Sequence, residues 1–198
     1  MSDRETILAA IRGAYGEDRP AVPEISREYR AATPQGALTG LFVARVEEYG
    51  VATTFTTSDQ LNAVLADLVA GRSVVVPPGA AWSIERAVVD NAHSPHQLDD
   101  VEMVVTGAAV AIAQTGTVVL DHGPGQGRRA LTLVPDIHVC VINASQLVAD
   151  VPQAVAILDP ERPQTWISGP SATSDIELQR VAGVHGPRTL HIVLVEDA

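Results

Sequence analysis

The run Ser73-Val74-Val75-Val76, halted by Pro77-Pro78-Gly79, constrains this fold more than any other feature of the chain. A strand apolar at every position, not at alternate ones, must be buried on both faces. Ser58 stands before an amphipathic pattern at Leu61, Val64, Leu65, Leu68 and Val69, which reads as a Ser-capped helix leading into that strand. Upstream, Leu38, Leu41, Phe42 and Val46 give another helix, followed by a short strand over 51–55. Helix, strand, helix, strand is the rhythm of an α/β fold, with a mostly parallel central sheet and helices on both faces.

The second half changes character. Segments 101–105, 110–113, 117–120, 131–134, 139–142, 165–167 and 191–195 all read as strands, and Gly-rich turns separate several of them with no room for helices. A β-hairpin-rich second half is predicted, with late helices over 151–158 and 175–181, the latter boxed by Ser174 and Glu177. At the other end, Ile7, Leu8 and Ile11 fall at helical spacing over 2–14, with Ser2 and Glu5 forming a capping box. From Gly16 to Pro34 periodicity vanishes among prolines and charges, which reads as an arm. The expected organisation is an N-terminal helix and Pro-rich arm over 1–34 and a single α/β domain over 35–198.

Composition excludes several chemistries. A formal charge of -11 argues against a nucleic-acid face. All 13 basic residues are arginine, so Schiff-base chemistry and a Walker-type lysine are ruled out. Cys140 is the sole cysteine and lies in an apolar run, so it reads as a small buried hydrophobe that can serve neither a disulfide nor a cluster. Met-Ser-Asp-Arg-Glu lacks a signal-type apolar core, and no run approaches the roughly 18 apolar residues of a membrane span. The localisation read from this is cytoplasmic.

Three segments carry chemistry. Thr115-Gly116-Thr117 offers close backbone approach and two hydroxyls just before a strand, or simple turn chemistry. Asp121-His122-Gly123-Pro124-Gly125-Gln126-Gly127-Arg128-Arg129 can clamp a carboxylate or phosphate through arginine, or be a flexible hairpin loop with solvated arginines. His138 opens the next apolar strand, as a structural or a catalytic histidine. The densest segment, Ser168-Gly169-Pro170-Ser171 through Ser174, Asp175 and Glu177 to Gly183-Val184-His185-Gly186-Pro187, sets two Gly-Pro turns around one short apolar-periodic stretch. A helix N-terminus there favours an anion, while Asp175 and Glu177 compete with it as acidic caps. Asp175 or Glu177 with His185 makes a plausible acid/base pair.

Taken in order, Ala113-Gln114-Thr115-Gly116-Thr117, Arg129 six residues before Pro135, His138, Ile167 to Ser171 with Ser174 to Glu177, and Gly183 to Pro187 resemble the LutC/YkgG family of LUD-domain lactate-utilization proteins, over residues 100–195. The resemblance implies a fold similar to the NagB/RpiA/CoA-transferase group and a role in oxidising L-lactate to pyruvate. It implies a non-redox subunit beside a cysteine-rich partner and an iron–sulfur partner, with the clusters on those partners and no cofactor or metal on this chain. The candidate ligand-binding residues are Thr115, Gly116, Thr117, Arg129, Ser168, Gly169, Pro170, Ser171, Asp175 and Gly186. Glu177, His185 and His138 are the candidates for catalysis. Two alternatives stay open: a stand-alone CoA-transferase-like or sugar-phosphate or folate-type enzyme, in which Glu177 is the acid placed in a motif, and a purely structural subunit.

Overall fold

The computed structural model describes residues 2–15, 21–26, 38–173, 181–183 and 185–198. The chain divides into two compact units, Met1–Arg30 and Ala31–Ala198. In the first, α1 (Asp3–Tyr15) begins with the predicted capping box. The Ser2 N–H donates to Glu5 Oε2 at 2.7 Å and the Glu5 N–H to Ser2 Oγ at 3.3 Å. Two of the four orphan donors of the first turn are thereby satisfied. None of its side chains is buried.

The second unit opens with α2 (Leu38–Glu48), β1 (Ala52–Thr56), α3 (Leu61–Leu68), β2 (Val74–Val76), β3 (Val88–Val89), α4 (Pro95–Asp99) and β4 (Met103–Gly107). A hairpin, β5 (Val110–Ile112) and β6 (Thr117–Leu120), leads to β7 (Ile137–Asn143), then β8 (Leu147–Val148) and α5 (Val151–Ile157). The chain finishes through β9 (Thr165–Ser168), β10 (Ala172–Thr173), β11 (Val181–Ala182) and β12 (Thr189–Val195). Six strands pair in parallel in the order β1-β12-β7-β4-β2-β3. A second sheet, β8-β5-β6-β9, is mixed, and β10 and β11 form a short antiparallel ribbon.

Alternation along β7 and β12 explains the layers. Cys140, Ile142, Ile192 and Leu194 face α2 and the second sheet through Phe42, Val46, Ala111 and Leu120. Val139, Val141, Val193 and Val195 face the other way, onto Leu65 and Val69 at α3. The second sheet is itself sandwiched, with Val110, Ile112 and Val119 packing against Ala154 of α5. The α/β class, with a mostly parallel sheet covered on both faces and hairpins in the second half, is what the sequence predicts.

Three local expectations are corrected. The strand predicted over 131–134 is a 3-10 turn, Arg129–Thr132, whose backbone bonds are local: the Leu131 N–H donates to Arg128 O at 3.0 Å and the Leu133 N–H to Ala130 O at 3.3 Å. Leu131 is instead buried against Val75, Leu98 and Val104, and Leu133 faces solvent. Ser58 does not cap α3. Its N–H and hydroxyl both donate to Asp197 Oδ1, at 2.7 and 2.9 Å, and Gln60 occupies the N-cap without a side-chain bond. The helix predicted over 175–181 does not extend to Val181, which pairs with Thr173 in the ribbon; Ser174, Asp175 and Glu177 lie outside the described residues.

Candidate functional site

A cavity of about 270 Å³ opens beside the first turns of β7 and β12. His138 and Leu190, each the second residue of its strand, are paired in register and form its floor. One wall is the end of β9 and the first Gly-Pro turn, Ser168, Gly169, Pro170 and Ser171. Opposite stand His185, Gly186 and Pro187, with Arg129 and Thr132 contributed by the 3-10 turn. The two Gly-Pro turns, at 169–170 and 186–187 in the sequence, therefore meet in space.

Hydrogen bonds through Ser171 join them. The Ser171 N–H donates to Pro187 O at 2.9 Å, and the Gly183 N–H donates to Ser171 O at 3.0 Å. Ser171 Oγ accepts from the His185 N–H at 3.0 Å, so this hydroxyl shapes the second turn. Behind the wall runs a relay of hydroxyls: Thr115 Oγ1 to Thr117 Oγ1 at 2.7 Å, and Thr117 Oγ1 to Ser168 Oγ at 2.8 Å. Thr115, Gly116 and Thr117 thus support the wall and do not line it. Gly116, at φ +60°, lies against α2, where an added Cβ would come within 2.9 Å of Arg45 Cβ.

His138 is buried, and its Nε2 is held by Thr106 Oγ1 at 2.7 Å. Burial, and secondarily the positive charge of Arg129, press its pKa down to about 4. At neutral pH the ring is therefore an uncharged hydrogen-bonding group. With Nε2 fixed by Thr106, any polar contact to a bound molecule is made through Nδ1. Arg129 is exposed on the cavity side, and its Nη1 donates to Thr132 O and Oγ1 at 2.8 and 3.1 Å. Such a guanidinium beside backbone turns and hydroxyls suits a small anion.

The neighbouring arginine does something else. Arg128 Nε and Nη2 grip the two carboxylate oxygens of Asp90 at 2.8 and 3.0 Å, so it is committed to the protein and not to a ligand. Nothing in local sequence links Asp90 to this loop, and the pairing was not legible there. Wall residues Thr165, Trp166 and Thr132 were likewise missed as site residues; the first two open a predicted strand, and Thr132 lies in the segment misread as one. Cys140, also buried, has its thiol pushed up to about 12 by desolvation. Among the described residues no cluster of three or more His, Cys, Asp or Glu side chains is placed to hold a metal, and no helix is long and apolar enough to cross a membrane.

With this geometry in view, the relationship to known proteins is clear. Residues 83–195 match the LUD domain family model. The chain is 41% identical to lactate utilization protein C of Deinococcus radiodurans, over 96% of this chain and 92% of that one. A lactate utilization protein C of Shouchella clausii is 33% identical over 54% of this chain and 50% of its own length. Among solved structures, a DUF162 family protein from Deinococcus radiodurans superposes with a TM-score of 0.69 at 36% identity, covering 80% of this chain and 96% of that chain. The matched segment holds both Gly-Pro turns, Arg129 and His138, and the chain belongs to the LUD-domain family, grouping there with lactate utilization protein C.

Proposed function

We propose that this protein is the non-redox subunit of an L-lactate utilization system, and that its cavity receives a small carboxylate. The observation that carries the reading is the meeting of Arg129, neutral His138 and the Ser168–Ser171 turn in one cavity. Arg129 supplies the charge a carboxylate needs, while His138, its Nε2 taken by Thr106, keeps Nδ1 for a polar substituent such as the 2-hydroxyl or 2-oxo group. Similarity to lactate utilization protein C along nearly the whole chain supports the same choice of substrate class. In this reading redox chemistry falls to iron–sulfur and cysteine-rich partner subunits, as the LutC resemblance implies, and Cys140, buried and kept as a thiol, fits a subunit that carries none of it.

Two measurements test this. Isothermal calorimetry with L-lactate and pyruvate should show binding that weakens roughly tenfold or more in Arg129→Gln, the scale of one lost charge-assisted contact. Tagged protein recovered from lactate-grown cells should bring down an iron-containing partner. Absence of both binding and partner refutes the proposal.

A further inference from the structure

The loop 121–128, with its three glycines, is held by hydrogen bonds along its length, and its Arg128 is taken up by Asp90. It fills the crevice between the carboxyl ends of β2 and β4. The connections leaving these strands run in opposite directions, β2 outward to β3 and β4 inward to β7, which in open parallel sheets is where ligands enter. Here the Gly107 N–H donates to Gly125 O at 2.7 Å and the Gly125 N–H to Pro78 O at 3.0 Å. Backbone of the protein itself occupies the place, and the candidate cavity lies beside the opposite strand ends, at His138 and Leu190.

Both ends of the loop are anchored. His122 Nδ1 meets Gly127 O at 2.7 Å, and its Nε2 meets Thr165 Oγ1, in the cavity wall, at 3.2 Å. At the far end, the fork of Arg128 holds Asp90, whose side chain is only 6% exposed, and Nη2 also donates to His93 O at 2.5 Å. The next residue is Arg129, already turned into the cavity.

We infer that the Asp90–Arg128 ion pair is a positioning device for the cavity, fixing the end of the loop from which Arg129 is aimed at the bound anion and at His138. Neither residue touches the cavity; both act through Arg129. For the anion this rests on the carboxylate reading above, but the coupling between Arg129 and His138, which line one cavity, can be tested without any ligand.

The experiment is an NMR titration of the His138 ring in full-length protein, for wild type, Asp90→Asn, Arg129→Gln and the double variant. A direct charge effect and a positioning effect have opposite signs. Removing the Asp90 carboxylate by itself lowers the pKa of a nearby histidine, whereas releasing Arg129 raises it from about 4. We expect an upward shift in Asp90→Asn, and no such rise when the same change is made in the Arg129→Gln background. An unmoved or lowered titration overturns the inference, as does an equal rise in both backgrounds, which would report general loosening of the core. Arg128→Lys keeps the charge but loses the fork; it should shift His138 upward by less, and it decides the matter if Asp90→Asn does not fold. L-lactate titrated in parallel separates the two readings: failure of wild type to bind it removes the carboxylate proposal and leaves the His138 result standing.

Discussion

The buried imidazole of His138 makes the stability of this protein depend on pH in a window above the ordinary carboxylate range. Its pKa is about 4 in the folded chain against 6.5 when unperturbed. Between those values the unfolded chain binds a proton that the native state refuses, so acid favours unfolding. The contribution is fully present above 6.5 and is lost as pH falls toward 4. At about 1.4 kcal/mol per pH unit, the part falling between about pH 7 and pH 5 amounts to roughly 2 kcal/mol. Urea unfolding followed by circular dichroism across that interval measures it directly. His138→Gln, which keeps a neutral partner for Thr106, should flatten the slope to what His191 leaves, since burial lowers that pKa too. A variant as steep as wild type would refute the assignment of this acid sensitivity to His138.

Two further outcomes follow from local geometry. Gly169 has φ +76°, and an added Cβ would sit 2.7 Å from Tyr49 Cβ and 2.8 Å from its Cγ; Gly169→Ala should cost about 1–3 kcal/mol in a chemical melt, partly recovered in Tyr49→Ala, which removes the ring but keeps the Cβ. Cys140, buried and held as a thiol with its pKa near 12, should resist thiol reagents in the native state and react only as the chain unfolds, which a colorimetric thiol assay across a urea series will show.

The parallel core was readable because it is written locally. Val74, Val75 and Val76 are all buried and so carry no polar face, and the strand predicted over 191–195 lies wholly within β12. The strand misread over 131–134 shows the limit. Four apolar-rich residues have no period long enough to separate a strand from a turn, and it is the tertiary packing of Leu131 against Val75, Leu98 and Val104 that goes with the turn. Val181 is the same kind of error, an apolar residue assigned to a helix that pairs instead in a ribbon.

For the candidate site, sequence determined the ingredients: two Gly-Pro turns, one arginine, one histidine opening a strand. Those are short-range patterns, and each is legible within a few residues. Tertiary structure alone decided which of them meet. Register between β7 and β12 sets His138 beside Leu190, and the Ser171 bonds draw the second turn onto the first. It also decided that Arg128 belongs to Asp90, 38 residues away, and that Arg129 belongs to the cavity. Neighbouring identical side chains carry no local signal that tells them apart; what separates them is which long-range partner the packed chain brings within reach.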